Sequence, residues 1–143
     1  MIKSALIVIA AILTLVCAAD GSAEMKEGLW EIATKTEMIG IPVQTPPTIM
    51  KQCMTKKDMV PKPERQEKGQ ECKIIDQKIS GDTVTYAMEC RDKGGNVMEI
   101  SGKTTYKEKN FDGATNTTMK TKEQGTIRMV SKISGKYVGP CPK

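Results

Sequence analysis

The chain of 143 residues has no histidine, and so lacks the side chain that most often moves protons near neutral pH. That removes the Ser-His-Asp triad, Cys-His nucleophilic pairs and histidine metal sites together. Carboxylates remain, but Glu31, Asp76, Glu89 and Glu99 fall within alternating stretches. There the ordinary role of an acid is to face solvent as a partner for lysine. Gly94-Gly95 sits between two strand-like runs and reads as a turn, not as a phosphate loop that opens a helix. No catalytic residue is expected, and the chain is read as not an enzyme.

Sulfur is the remaining chemistry. Met25, Met38, Met50, Met54, Met59, Met88, Met98, Met119 and Met129 are many for a chain with few aromatic side chains. Thioethers can hold Cu(I), but most of these methionines fall on expected core faces, where the flexible side chain fills gaps. Cys53, Cys72, Cys90 and Cys141 show neither a CxxC pair nor the paired knuckles of a zinc site. An even number of cysteines in an exported chain reads as two structural disulfides. Neither metal nor cofactor is expected.

The start of the chain sets the compartment. Lys3 followed by the apolar run Ala5 to Val16 resembles a secretory signal and is too short to span a bilayer, which needs about 20 residues. Gly21-Ser22-Ala23 places cleavage before Glu24; Cys17-Ala18-Ala19, cut before Asp20, is the alternative. The reading is therefore a signal peptide over residues 1–23 and one domain over 24–143. Cys17 raises the question of lipidation, but Val16 before it is larger than the residue that chemistry normally accepts. The net charge of +5 is mild and the basic residues are dispersed, so no nucleic-acid surface is expected.

The elements follow from period and punctuation. Trp30, Ile32, Thr34, Thr36 and Met38 alternate with Glu31, Ala33, Lys35 and Glu37, as a strand with one buried and one wet face requires. Gly40, Pro42, Pro46 and Pro47 force a wide reversal before a return strand, Thr48 to Cys53. Thr55 and Asp58 form a capping box, with Met54 and Met59 as a hydrophobic staple, over a helical turn that Pro61 and Pro63 cut short. Residues 61–71 read as an exposed loop.

Cys72 opens a hairpin whose Gly81-Asp82 turn suits type II′. A regular register then pairs Ile79 with Val84, Gln77 with Tyr86, Ile75 with Met88 and Lys73 with Cys90. Ile75, Ile79, Val84, Tyr86, Met88 and Cys90 share an apolar face, and Cys72 lies on the other. A Cys72–Cys90 bridge would need a bulge, because disulfide Cβ atoms lie about 4 Å apart. Of the two remaining pairings, Cys53–Cys72 with Cys90–Cys141 is preferred, since it closes the polar proline loop locally.

Lys93-Gly94-Gly95-Asn96 is the next turn. Asp112-Gly113 suggests a type I′ turn that would set Tyr106 opposite Met119. Ala114 to Lys120, rich in threonine, reads as an edge or largely wet strand. Ile127, Met129 and Ile133 mark a last strand, and the tail is pinned by Cys141. The expected fold is an all-β antiparallel meander of six or seven strands with one short helical turn, closing as a curved sheet, half-barrel or sandwich.

Gly28-Leu29-Trp30-Glu31, Gln52-Cys53-Met54-Thr55, Cys72-Lys73-Ile74, Ile79-Ser80-Gly81 and Gly135-Lys136-Tyr137-Val138-Gly139-Pro140-Cys141 together resemble a family of exported bacterial proteins catalogued as domain of unknown function 3617. The resemblance implies a secreted or periplasmic β-rich domain of Gram-negative bacteria, and no activity or functional residues. The expected function is a non-enzymatic periplasmic module whose curved, methionine-bearing face holds a small apolar ligand or an envelope component. The alternative is a structural or protein-interaction domain of the envelope that docks a partner through an edge strand or the Pro42–Pro47 loop.

Overall fold

The computed structural model describes residues 25–42, 45–62 and 69–143. The expected signal peptide, both cleavage sites and Cys17 lie outside the described residues. Seven strands, β1 (Gly28–Met38), β2 (Thr48–Met54), β3 (Gln70–Ser80), β4 (Thr83–Asp92), β5 (Val97–Tyr106), β6 (Asn110–Thr121) and β7 (Gly125–Gly139), form one antiparallel sheet. Its order is β2-β1-β7-β6-β5-β4-β3. Strands β3 to β7 run as a meander and β7 returns to β1. Strands β2 and β3, consecutive in sequence, therefore lie at opposite edges of the sheet. Residues from β1, β2, β4, β5, β6 and β7 line a single cavity with Met59, so the sheet is curved and open.

The expected capped turn is present at Lys56–Asp58 as a 3₁₀ turn. The Asp58 carboxylate accepts from the Thr55 backbone N–H and from its hydroxyl, both at 2.9 Å. Met54 and Met59 on either side are buried, as a hydrophobic staple requires. The Gly81-Asp82 turn also forms, with Ser80 opposite Thr83. Gly81 has φ +60° and among the described residues no non-glycine residue, Asp82 included, has positive φ, which selects type II′ over I′.

The disulfides differ from expectation: Cys53 joins Cys141 and Cys72 joins Cys90. The cause lies in β3. Its register follows the expected pairing from Ser80 back to Gln77, then shifts between Ile74 and Asp76. Ile75 is the extra residue of a bulge, so Ile74 meets Met88 and Cys72 falls directly opposite Cys90. One inserted residue reverses the facing of all that follow. At the other edge, β2 and β7 flank β1, and the tail beyond Gly139 returns to Cys53.

The β5–β6 hairpin is also corrected. Tyr106 pairs with Phe111, not Met119, and the chain reverses through Glu108-Lys109. That loop lacks the residues of a primed turn, but its carbonyls accept from the backbone N–H groups of Lys26 at 3.0 Å and Tyr137 at 2.9 Å. Gly113 instead lies within β6, where a Cβ would stand 2.6 Å from Thr104 Oγ1. It is there for close approach, not for turning. Strand β6 is consequently interior, between β5 and β7, and the edges are β2 and β3.

Candidate functional site: the concave face

The register fixes which residues share the inner face. Ile32, Gly135, Phe111 and Tyr106 form one row across β1, β7, β6 and β5; Thr34, Ile133, Gly113, Thr104 and Val84 form the next. Around these rows sits the buried cluster of Met25, Trp30, Ile32, Met54, Met59, Val84, Tyr106 and Phe111. Trp30 is fully buried, donates from Nε1 to the Lys26 carbonyl at 2.9 Å, and packs on Phe111 and Tyr137. It is a core anchor, as its alternation with Glu31 and Ala33 indicates. Met25 and Met59 reach this end from outside the sheet and plug it.

Two glycines make the aromatic packing possible. Gly135 lies opposite Phe111 and Gly102 opposite Tyr86; in each case an added Cβ would collide with the ring. The aromatic side chain lies across the neighbouring strand's backbone. The Tyr106 hydroxyl donates to the Met59 carbonyl at 3.0 Å and so ties the 3₁₀ turn to β5. Burial, with the nearby Tyr86 charge next, pushes its pKa up to about 12.

Beyond the plug runs a polar row of Thr36, Ser131, Thr115, Gly102, Tyr86 and Gln77. Thr36 and Ser131 hydroxyls meet at 2.9 Å, and those of Tyr86 and Thr115 at 3.1 Å. Tyr86 and Thr115 also line a cavity of about 220 Å³ whose other walls include Ile32, Gln52, Met59 and Phe111. A mixed wall of hydroxyls, an amide and apolar side chains can orient a polar group while enclosing an apolar one.

The next two rows are apolar again. Met38, Met129, Thr117, Ile100, Met88 and Ile74 form the first; Ile127, Met119, Met98, Cys90 and Cys72 form the second. None of them joins the main buried cluster. Met88 and Cys90 are buried, Met38 and Ile74 are exposed, and the rest lie between. At the rims Met50 on β2 and Ile79 on β3 are also exposed, at 52% and 54%. The methionines expected on core faces are thus divided. Met25, Met54, Met59 and Met88 are buried, while Met38 and Met50 are exposed, as are Ile75 and Ile79 on β3.

The strand carboxylates behave as surface charges. Glu31 pairs with Lys136 at 2.9 Å, Glu89 with Arg91 at 2.9 Å and Lys73 at 3.6 Å, and Glu99 with Lys120. Hydrogen bonding from Lys136 holds the Glu31 carboxyl below its ordinary value, and hydrogen bonding from Arg91 does the same for Glu89. Among the described residues no three His, Cys, Asp or Glu side chains gather as a metal site, and no helix is long and apolar enough to cross a membrane. Sequence reasoning missed the roles of Gln52, Tyr86 and Thr115; Tyr86 opposite a mid-strand glycine was the available signal.

The segments that carry the family resemblance now have places: Trp30 in the core, Cys53, opposite Leu29, bridged to Cys141, and the Gly81 turn at the Tyr106 end. A model of the family described as protein of unknown function (DUF3617) matches residues 25–141. The chain belongs to this family. Neither the comparison with curated proteins nor that with solved structures finds a match. The matched span takes in all seven strands and both disulfides of the DUF3617 domain. Two disulfides fit an oxidising compartment.

Proposed function

We propose that this DUF3617 protein is a non-enzymatic, exported, periplasmic module that holds a small apolar or amphipathic molecule on the concave face of its sheet. The observation that carries this reading is a concave face with exposed apolar side chains at both margins, Met38 and Met50 on one side and Ile74 and Ile79 on the other, and a hydroxyl-lined cavity between them. Exposed apolar surface costs about 25 cal/mol for each Å² left in water, and contiguous patches of it mark binding surfaces. Methionine suits such a face because its unbranched thioether adapts to differently shaped partners. The polar end of an amphiphile would meet Tyr86, Thr115 and Gln52, and its chain would run along the methionine rows.

An uncharged fluorescent probe, N-phenyl-1-naphthylamine, tests this in the disulfide-intact protein. The expected result is saturable enhancement at one site, displaced by 1-decanol and lost in Met129→Lys at an unchanged melting temperature. Non-saturable enhancement, or retention of binding in both Met129→Lys and Ile100→Lys, would reject it.

A second reading rests on a different observation. Ile49 on β2 and Ile75 in the β3 bulge, at opposite edges of the sheet, are 65% and 57% exposed. Edge strands with apolar side chains can dock another chain. Envelope crosslinking from Ile49 supports this reading if a specific partner is captured, and recovery of monomer alone counts against it.

A further inference from the structure

The opposite, outer face of the sheet carries a groove of about 690 Å³. Its floor is made of small residues, Ala33, Ala114 and Ser134, with the backbone of Gly113, and Lys35, Lys103 and Lys132 stand around it. The register explains how they meet. Lys35 lies directly opposite Lys132 across β1 and β7, Lys132 opposite Ala114, and Ala114 opposite Lys103. Strands lie about 4.8 Å apart, so the row from Lys35 to Lys103 spans about 14 Å with a gap at Ala114.

Two features of this row work against stability of the isolated domain. Like charges directly opposite on neighbouring strands are destabilising, yet Lys35 and Lys132 are so placed. Glu37 lies 3.1 Å from Lys35 and also interacts electrostatically with Lys132, but among the described residues Lys103 has no ion-pair partner. Elsewhere on the same face Glu31 pairs with Lys136 and Glu89 with Arg91 and Lys73, although Glu89 also stands directly opposite Glu99. Three lysines around one depression, of which only Lys35 is in a close ion pair, leave positive charge there for a bound anion.

We infer that the groove rimmed by Lys35, Lys103 and Lys132 binds a compact multivalent anion of the phosphate class. The gap over Ala114 leaves room for an anion between ammonium groups that reach it from both sides, and lysine acts here as a point charge. A compact anion fits better than a flat anionic membrane. The lysines ring a depression in the middle of the face, bounded by carboxylates of Glu37 on one side and Asp112 on the other. A planar charged surface would meet both carboxylates, whereas a small anion would lie among the lysines. This site is on the opposite face from the concave apolar trough and does not depend on it.

Isothermal titration of the disulfide-intact protein with inorganic tripolyphosphate at low ionic strength is the test. The expected result is saturable binding of one anion. Lys132→Gln and Lys103→Gln each weaken it about five-fold, the loss of one close charge contact near water, and Asp112→Asn tightens it about three-fold. Lys73→Gln, an exposed lysine on β3 outside the groove, leaves it unchanged. Melting temperatures of the four variants are measured alongside, so that loss of fold is not read as loss of binding. The proposal is overturned by non-saturable heats, by Lys73→Gln weakening binding as much as Lys132→Gln, or by lysine-dependent binding to phosphatidylglycerol vesicles with none to tripolyphosphate.

Discussion

The two ends of the concave face are built from the same seven strands and differ in what closes them. At one end Trp30, Phe111, Tyr106 and Val84 lie beneath Met25 and Met59, which reach over from the N-terminal segment and the 3₁₀ turn. At the other, the methionine rows stay outside that cluster and their margins are open to solvent. Each end has its own disulfide: Cys53–Cys141 beside the aromatic plug, Cys72–Cys90 at the start of β3 and the end of β4. A small domain with few aromatic residues concentrates rigid packing where the chain can cover it. It leaves the face that is not covered to flexible side chains. Stability and the proposed binding surface are thereby separated along one sheet.

The contrast can be broken first at the disulfides. Cys53–Cys141 closes 88 residues of sequence and Cys72–Cys90 closes 18. In the chain-entropy account, removing the first with paired Cys→Ala changes costs about 4–5 kcal/mol, and removing the second costs about 3 kcal/mol. Urea unfolding measures both; equal losses would remove the distinction between the ends. At the aromatic end, Trp30→Ala or Phe111→Ala is expected to cost about 3–5 kcal/mol by the same measurement, because each leaves a cavity in a covered cluster.

Tyr106 sharpens the comparison through pH. Its hydroxyl has a pKa of about 12 in the folded protein against the ordinary value of 10, so its contribution is whole below pH 10. Above that the unfolded chain loses the proton first, and stability falls as pH rises towards 12, by at most about 2–3 kcal/mol. Tyr106→Phe should flatten that part of the pH profile, and an unchanged slope would contradict the burial assigned to it. The smallest effect belongs to the open end. Met38→Ala should change stability by no more than about 0.5 kcal/mol, since an exposed side chain leaves no cavity.

Much of the fold was legible in the sequence, because local chemistry there agrees with the tertiary result. The alternation from Trp30 to Met38, the Thr55–Asp58 box and the Gly81-Asp82 turn all formed as read. The failures have a common origin in long-range contacts. The Ile75 bulge, which decides the pairing of Cys72, has no signature of its own in Cys-Lys-Ile-Ile-Asp. Asp112-Gly113 carries a turn signature, but Phe111 is needed in the core and Gly113 is needed against Thr104, so the reversal moved to Glu108-Lys109. Of the concave site, the apolar rows were readable from periodicity except on β3, where the bulge puts Ile74 and Cys72 on the face that periodicity gave to Ile75. The hydroxyl row was not, because Thr36, Ser131, Thr115 and Tyr86 come from four strands that only the register brings together.

The central claim is that the open methionine end, and not the plugged aromatic end, receives an apolar ligand. Methyl NMR of protein labelled at the methionine methyl groups, titrated with uncharged 1-decanol, tests it most directly. The account predicts large saturable shifts at Met38, Met98, Met119 and Met129, smaller ones at Met54 and Met59 in the wall of the cavity that takes the polar end, and none at Met25. No saturable shift in the first set, or shifts of equal size in the second, would contradict it.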